Sequence, residues 1–436
     1  MNTKRIQLGL IHVAVAMTLV PINSTLNRVM IKEMALSATL VAILASLPFL
    51  FSPIQVAIGS YSDRHPLFGF RRTPYILAGL ILCVFGLAIS PQAAFLMEQQ
   101  IGVGILVGIL AFGAWGMGYN LSSVTYLSLA SEISGEHGRG KTVAIMWFMM
   151  IIAIIITAVG LSRLLDPYSP EALVRAFGIV ALASLLLGLL GLINLEPRSR
   201  TDQERHLSEE YSLRQMAAAI TANPVARVFF IYLLLLLAAI LGQDVLLEPF
   251  GAEAFNLSVS RTTQITSVWG TFVLVAIILA WLLEGQLNKK TVAHLGNYGA
   301  LLGFLIIILG GITRSSSIFY IGVILLGFGT GLSTVANLSL MFDLTAPGQV
   351  GLFIGAWGFS SSLARLIGSV LGGALRDVVT HISRDAVFGY IVVFGVEACM
   401  LLAASILLTQ IDVRAFQKKV GEPDFVEKIA LAAEST

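Results

Sequence analysis

Charge is scarce in this 436-residue chain: Asp, Glu, Lys and Arg make up 12% of it, against roughly 25% in an ordinary soluble domain. That excludes a soluble enzyme. No polar stretch is long enough to give a separate catalytic or nucleic-acid-binding domain its own core. Cysteine is reduced to Cys83 and Cys399, each alone in an apolar run, so neither a disulfide framework nor a thiolate metal site is available. Walker loops, HExxH, nucleophile elbows and His/Cys clusters are all missing, and we expect no enzyme activity, no resident metal and no nucleic-acid partner. An excess of one charge sign is missing as well: 27 basic residues against 25 acidic ones leave a net charge of +2, too balanced for a polyanion-binding surface.

What fills the chain is hydrocarbon. Hydrophobic residues make up 56% of it and the mean hydropathy is +0.87. Continuous apolar runs fall at about 7–29, 36–60, 73–91, 101–131, 142–163, 173–194, 227–250, 260–283, 293–312, 317–341, 350–376 and 386–410, each near the roughly 20 residues that cross a bilayer as a helix. The expected fold is therefore an all-α integral membrane protein with twelve transmembrane helices. No small-residue cleavage site follows the first run, which is expected to be retained as a helix. With the N-terminus inside, eighteen of the twenty-seven Lys and Arg residues fall on inner segments, which places both termini in the cytoplasm by the positive-inside rule.

The longest polar stretch divides the chain nearly in half. It defines an N-terminal six-helix half at 1–195, a cytoplasmic linker at 196–226, a C-terminal half at 227–412 and a cytoplasmic tail at 413–436. Gly116, Gly118, Glu132 and Gly140 recur 211 residues later as Gly327, Gly329, Asp343 and Gly351, and SVTYLSL at 123–129 faces TVANLSL at 334–340. Two six-helix pseudo-repeats joined by a long cytoplasmic loop resemble the major facilitator superfamily, whose binding cavity lies between the halves. The segment GSYSDRHPLFGFRRTPY at 59–75 is similar to that superfamily's loop signature, with one insertion. There Gly59, Asp63, Arg64, Arg71 and Arg72 are candidates for a conformational latch, with the arginines holding the loop at the anionic inner leaflet. The alternative is that these charges only set topology.

Ionisable groups at membrane depth invite a functional reading because burying them is costly. Arg365 and Glu397 each lie about eleven residues from the outer end of their helix, roughly 16 Å deep at 1.5 Å per residue, and are expected to form an intramembrane ion pair. Asp244 and Glu248 stand four apart on one face of helix seven, with Pro249 expected to stop or bend that helix just after them. They are candidates for binding a proton, a cation or a partner, or are solvated interface residues. Glu132 and Asp343, at equivalent helix ends, each call for an opposed base, with Arg139 and Lys141 as local candidates for Glu132. His12, in the first helix, has an imidazole suited to a metal such as the magnesium of a chlorin, or to a hydrogen bond with a neighbouring helix.

Four separated blocks, NSTLNRVMIKEM at 23–34, DRHPLFGFRRTPY at 63–75, GRGKTVAIMWFMM at 138–150 and QDVLLEPFGAEAFNLSVSRTTQIT at 243–266, together resemble the PucC/LhaA group. That group is the bacteriochlorophyll delivery family of the superfamily. The linker RSRTDQERHLSEEYSLRQ is similar to the variant of oxygenic phototrophs. The resemblance implies a membrane assembly factor that delivers or shields chlorophyll or bacteriochlorophyll while light-harvesting or photosystem proteins are built. Its setting is a photosynthetic membrane, thylakoid or bacterial inner membrane. Lipid, a chlorophyll-type pigment and nascent light-harvesting or photosystem subunits are the implied partners, with the pigment as ligand and no tightly bound cofactor. The resemblance also moves Gln243, Asp244 and Glu248 towards a site at the outer mouth, joined by Asn23, Thr25, Asn27 and Arg28. The other readings are a proton-coupled transporter of a small solute and an interaction protein without alternating access.

Overall fold

The computed structural model describes residues 2–52, 54, 58, 61–62, 65–197, 218, 220–283, 286–345 and 350–420. Gly59, Asp63 and Arg64 of the expected latch lie outside these residues, as do most of the linker and the end of the tail. The described residues are overwhelmingly helical. They form α1 (Asn2–Ala16), α2 (Ala38–Ala45), α3 (Leu47–Leu50), α4 (Thr73–Gln99), α5 (Ile101–Gly135), α6 (Gly140–Leu164) and α7 (Pro170–Leu192). Next come α8 (Pro224–Gly242), α9 (Leu247–Phe255), α10 (Val259–Leu282), α11 (Lys289–Thr313), α12 (Ser316–Asp343), α13 (Val350–Ser383), α14 (Ala386–Gln410) and α15 (Val413–Val420). Ten helices among the described residues are long and apolar enough to cross a membrane, the first of them running through Thr3–Glu33. They coincide with ten of the twelve apolar runs; the others are 36–60 and 350–376.

Local sequence sets the helix ends. Ser169, Asn223, Asn288, Ser315 and Asp385 each accept a backbone N–H of the first turn with their side chains, satisfying donors that a helix start leaves orphaned. Pro170 and Pro224 open their helices, where a missing N–H costs nothing. Between α5 and α6 the hydrogen-bonded run continues, interrupted where Gly135 takes a φ of 63°, a left-handed turn that suits glycine.

The chain forms two compact units. The first comprises Met1–Ser208 together with Asp244–Gly270, and the second Glu209–Gln243 together with Thr271–Thr436. The segment Asp244–Gly270 thus belongs, by its packing, with the first half of the sequence. In the first unit α1 packs on α7 and on the α5–α6 run, and α4 packs on α5, around Leu8, Ile11, Leu80, Leu129 and Met146. In the second unit α8 packs on α13 and α14, and α11 on α12.

The duplication reaches atomic packing. In the first unit Gly79 and Gly118 let α4 and α5 meet backbone to backbone: a Cβ on Gly118 would lie 2.3 Å from Cys83 N and 2.5 Å from Gly79 O. In the second unit Gly296 and Gly329 do the same for α11 and α12, with 2.2 Å to Ala300 N and 2.7 Å to Gly296 O. Such contacts suit a membrane, where lipid tails compete with apolar side chains and helices associate by close van der Waals fit.

A polar network also crosses the second unit. Tyr232 OH donates to Asn337 Oδ1 at 2.6 Å, Asn297 Nδ2 reaches Tyr232 OH at 3.4 Å, and Ser333 Oγ donates to Asn297 Oδ1 at 2.9 Å. All four residues are buried. Nearby, Asn223 Nδ2 donates to Phe416 O, and the buried Phe416 ring meets Phe353 edge-on, which fixes α15 to the unit.

Candidate functional site

Helix 1 changes character towards Glu33. Pro21–Leu26 and Val29–Glu33 are π-helical, a form that widens the backbone ladder and recurs at functional sites. Opposite them lie α9 and the start of α10, within the same unit. The sequence expectation of one continuous helix seven carrying Asp244 and Glu248 is corrected here. The helix ends at Gly242, a 3-10 turn follows at Gln243–Val245, and α9 begins at Leu247. Pro249 sits in the first turn of α9, where no N–H is required of it. Because of this break Glu248 points into protein. It is 2% exposed, so the reading of it as a solvated interface residue is also overturned.

Four contacts staple α9 and α10 to helix 1. Ser24 Oγ donates to Glu248 Oε1, which also accepts Thr266 Oγ1 at 2.6 Å. Thr25 Oγ1 meets Thr263 Oγ1 at 3.2 Å. Arg28 pairs with Glu33 through Nη1 and donates from Nη2 to Leu257 O at 3.1 Å. Lys32 Nζ binds Glu253 Oε2 at 2.7 Å. Beside them, Asn27 Nδ2 donates to Asn23 O at 2.9 Å. Burial, together with the Glu33 carboxylate, pushes the phenol of Tyr168 above its ordinary range.

The Lys32–Glu253 pair is partly exposed, so it is worth about 1 kcal/mol or less. Lys32→Glu is expected to lower the thermal unfolding temperature by setting two carboxylates against each other, and Lys32→Glu with Glu253→Lys to restore most of the loss. Unfolding curves of the two singles and the double variant check the pairing.

Of the expected site residues, the structure gathers Asn23, Thr25, Asn27, Arg28 and Glu248. Asp244 is half-buried in the 3-10 turn. Gln243 belongs to the second unit, where its Nε2 donates to Ile240 O at 3.3 Å. Ser24, Thr263, Thr266, Lys32 and Glu253 were not singled out by sequence. The hydroxyls carry no signal in a membrane helix, whereas the Lys32 and Glu253 charges are a signal that only the fold connects.

His12 stands apart, twelve residues and roughly 18 Å along helix 1 from Ser24. It is buried, with Nε2 3.1 Å from Met150 Sδ, its ring 5.3 Å from that of Tyr126 and 5.9 Å from Trp147. Its Nδ1 is enclosed without a hydrogen-bond partner. A chlorin needs an open imidazole nitrogen with room for a ring about 10 Å across. Met150, Tyr126 and Trp147 close that space, so in this conformation the residues do not fit the macrocycle and the expectation for His12 as an open axial ligand is corrected.

At the other end of the first unit Arg72 does not face an anionic leaflet. It is 3% exposed and donates from Nε and Nη2 to Glu132 Oε1 at 3.1 and 2.8 Å and from Nη1 to Ser62 Oγ at 2.6 Å. A base opposite Glu132 is therefore Arg72, sixty residues earlier in the chain; the side chain of Arg139, one of the local candidates, lies outside the described residues. Arg71 contributes its backbone N–H to Glu196 at 2.8 Å. The second unit repeats the joint: Asp343, equivalent to Glu132, binds Lys289 at 2.8 Å. Next to it lies an open cleft of about 430 Å³ lined by Lys290, Thr409, Asp412 and Arg414 among others, too charged to receive an apolar macrocycle. Arg365 on α13 and the buried Glu397 on α14 lie on helices that pack together.

The comparisons agree with this architecture. The family model described as PUCC protein matches residues 25–416. Protein PucC of Cereibacter sphaeroides is 32% identical over 424 residues, covering 93% of this chain and 91% of that protein. A Rhodobacter capsulatus protein described as Bacteriochlorophyll synthase 44.5 kDa chain is 28% identical over 412 residues, covering 92% and 94% respectively. Among solved structures, a variant of the nucleoside transporter NupG matches with a TM-score of 0.75 at 14% identity, covering 94% of this chain and 99% of that one. At that identity the likeness is one of fold.

Proposed function

The chain belongs to the PUCC protein family and is a multi-pass integral membrane protein of major facilitator fold, and from that premise we propose that it handles bacteriochlorophyll-type pigment. In this reading it delivers or shields the pigment while light-harvesting or photosystem proteins assemble in a photosynthetic membrane. It works as a carrier, without covalent catalysis, and nascent pigment-protein subunits are its partners. The observation that carries the reading is the family match across 25–416, supported by a relative of similar length whose description names bacteriochlorophyll.

Because His12 is enclosed, the part of this region that a macrocycle reaches is the surface above it, where Trp147 is 49% and Phe148 47% exposed. An aromatic edge facing lipid suits a flat ring with an apolar tail. We also propose that the runs at 36–60 and 350–376 complete a set of twelve crossings with both termini cytoplasmic, and that Arg365 pairs with Glu397.

The test is an absorption spectrum of the protein gently purified from a phototrophic host, with copurifying polypeptides identified. Stoichiometric red-absorbing chlorin together with pigment-protein subunits is expected, and Trp147→Ala is expected to lose pigment before it loses fold. A colourless, partner-free protein, in a detergent shown to leave pigment on a known pigment-protein, overturns the reading. Solute uptake that collapses with the proton gradient would then favour the transporter.

A further inference from the structure

The staple between helix 1 and α9 leaves two buried oxygens over. Glu248 Oε1 accepts both the Ser24 and the Thr266 hydroxyl, while Glu248 Oε2 has no hydrogen-bond partner. One turn beyond Ser24, Asn27 is fully buried, and its amide orientation is decided by chemistry: Nδ2 donates to the Asn23 carbonyl, so the outward atom is Oδ1, which is also without a partner. Two buried acceptors are thus without donors, one on the carboxylate that Ser24 binds and one three residues along the chain from Ser24. Of the nearby cationic groups, Arg28 Nη1 and Nη2 are held by Glu33 and Leu257 O and Lys32 by Glu253, while Arg28 Nε is buried without a partner and makes no hydrogen bond to either oxygen.

A buried carboxylate in that position calls for a counter-charge. We propose that Glu248 Oε2 and Asn27 Oδ1 are ligands of a sodium ion bound between helix 1 and α9. The donor set is all oxygen, which suits a hard cation. It carries a single formal charge, which suits a monovalent ion and undersupplies magnesium or calcium. No cluster of three His, Cys, Asp or Glu side chains that would hold a transition metal occurs among the described residues. A proton on Oε2 donated to Asn27 Oδ1 is the competing way to satisfy both oxygens, and the sodium-binding measurement separates the two. The π-helical turns at Pro21–Leu26 lie beside the site, where a widened ladder frees main-chain carbonyls to complete the shell. The proposal does not depend on what the protein carries.

The experiment uses the full chain purified in detergent and measures equilibrium binding of radioactive sodium, with choline chloride holding the ionic strength constant. Saturable, stoichiometric binding is expected in the wild type. Glu248→Gln is expected to abolish it, and Asn27→Ala to weaken it about tenfold, the loss of one ligand at about 1.4 kcal/mol. Glu171→Gln removes an exposed carboxylate at the start of α7, away from either ligand oxygen, and is expected to retain sodium binding. Should Glu248→Gln fail to fold, sodium is still expected to raise the wild-type unfolding temperature over choline, and to do so much less in Asn27→Ala. Absence of saturable binding to folded wild type, binding that survives in Glu248→Gln, or proton exchange at Glu248 with no sodium bound would each overturn the proposal.

Discussion

Glu196→Ala is expected to destabilise the first unit by about 3 kcal/mol, the sum of several charge-assisted bonds and a helix-terminus charge. The Glu196 carboxylate accepts the backbone N–H groups of Arg71 at 2.8 Å, Arg72 at 3.0 Å and Thr73 at 2.6 Å, and the Thr73 hydroxyl at 2.6 Å. It thereby caps the start of α4 from just beyond the end of α7. Truncation leaves those donors to water in a partly buried corner and removes the negative charge from the positive end of a helix. The same corner seats Arg72, whose guanidinium reaches Glu132 and Ser62, so the cap also sets that joint. Glu196→Gln keeps one carbonyl acceptor and is expected to lose about half as much. Thermal unfolding followed by size-exclusion profile reads both variants. Equal behaviour of Ala, Gln and wild type would show that water replaces the cap.

The helical architecture was legible in the sequence because a bilayer demands long apolar runs, and ten of the runs return as membrane-length helices. The repeat was legible in part because two of its glycines, Gly118 and Gly329, sit where helix backbones meet and a side chain has no room. The break in helix seven was not. A 3-10 turn between Gly242 and Leu247 has no hydropathy signature, and Pro249 reads equally well as the end of one helix or the first turn of the next. That ambiguity concealed which way Glu248 points.

The site was half legible for a related reason. Charges stand out against an apolar background, so Glu248, Arg28 and Asp244 were visible as candidates. Their partners were not, because Ser24 and Thr266 look like any small polar residue of a membrane helix. Arg72 shows the converse error. Positive charge on a loop is most simply read as topology, yet a half-exposed carboxylate at the end of α5 pairs with the buried Arg72 guanidinium. His12 was read from its chemistry alone, and only packing shows Met150, Tyr126 and Trp147 closing over it.

The largest loss of all is expected from a single methyl group. In Gly118→Ala the new Cβ would lie 2.3 Å from Cys83 N and 2.5 Å from Gly79 O, and in Gly329→Ala 2.2 Å from Ala300 N and 2.7 Å from Gly296 O. These are backbone atoms, which no rotamer change can clear, so the paired helices must separate along their whole contact. Overpacking of this kind costs about 3 kcal/mol or more. In a membrane no hydrophobic term offsets it, since the helices adhere by close fit. Gly113, one and a half turns earlier on the helix of Gly118, has nothing within 4 Å of its Cβ direction. Gly113→Ala is therefore expected to be neutral or to gain up to about 1 kcal/mol from helix propensity. Unfolding temperatures of the three variants separate the two effects: Gly118→Ala and Gly329→Ala fall sharply and alike while Gly113→Ala holds or rises. A tolerated Gly329→Ala would mean that the second unit's helices do not approach as the first unit's do, and the duplication would then be one of sequence without packing.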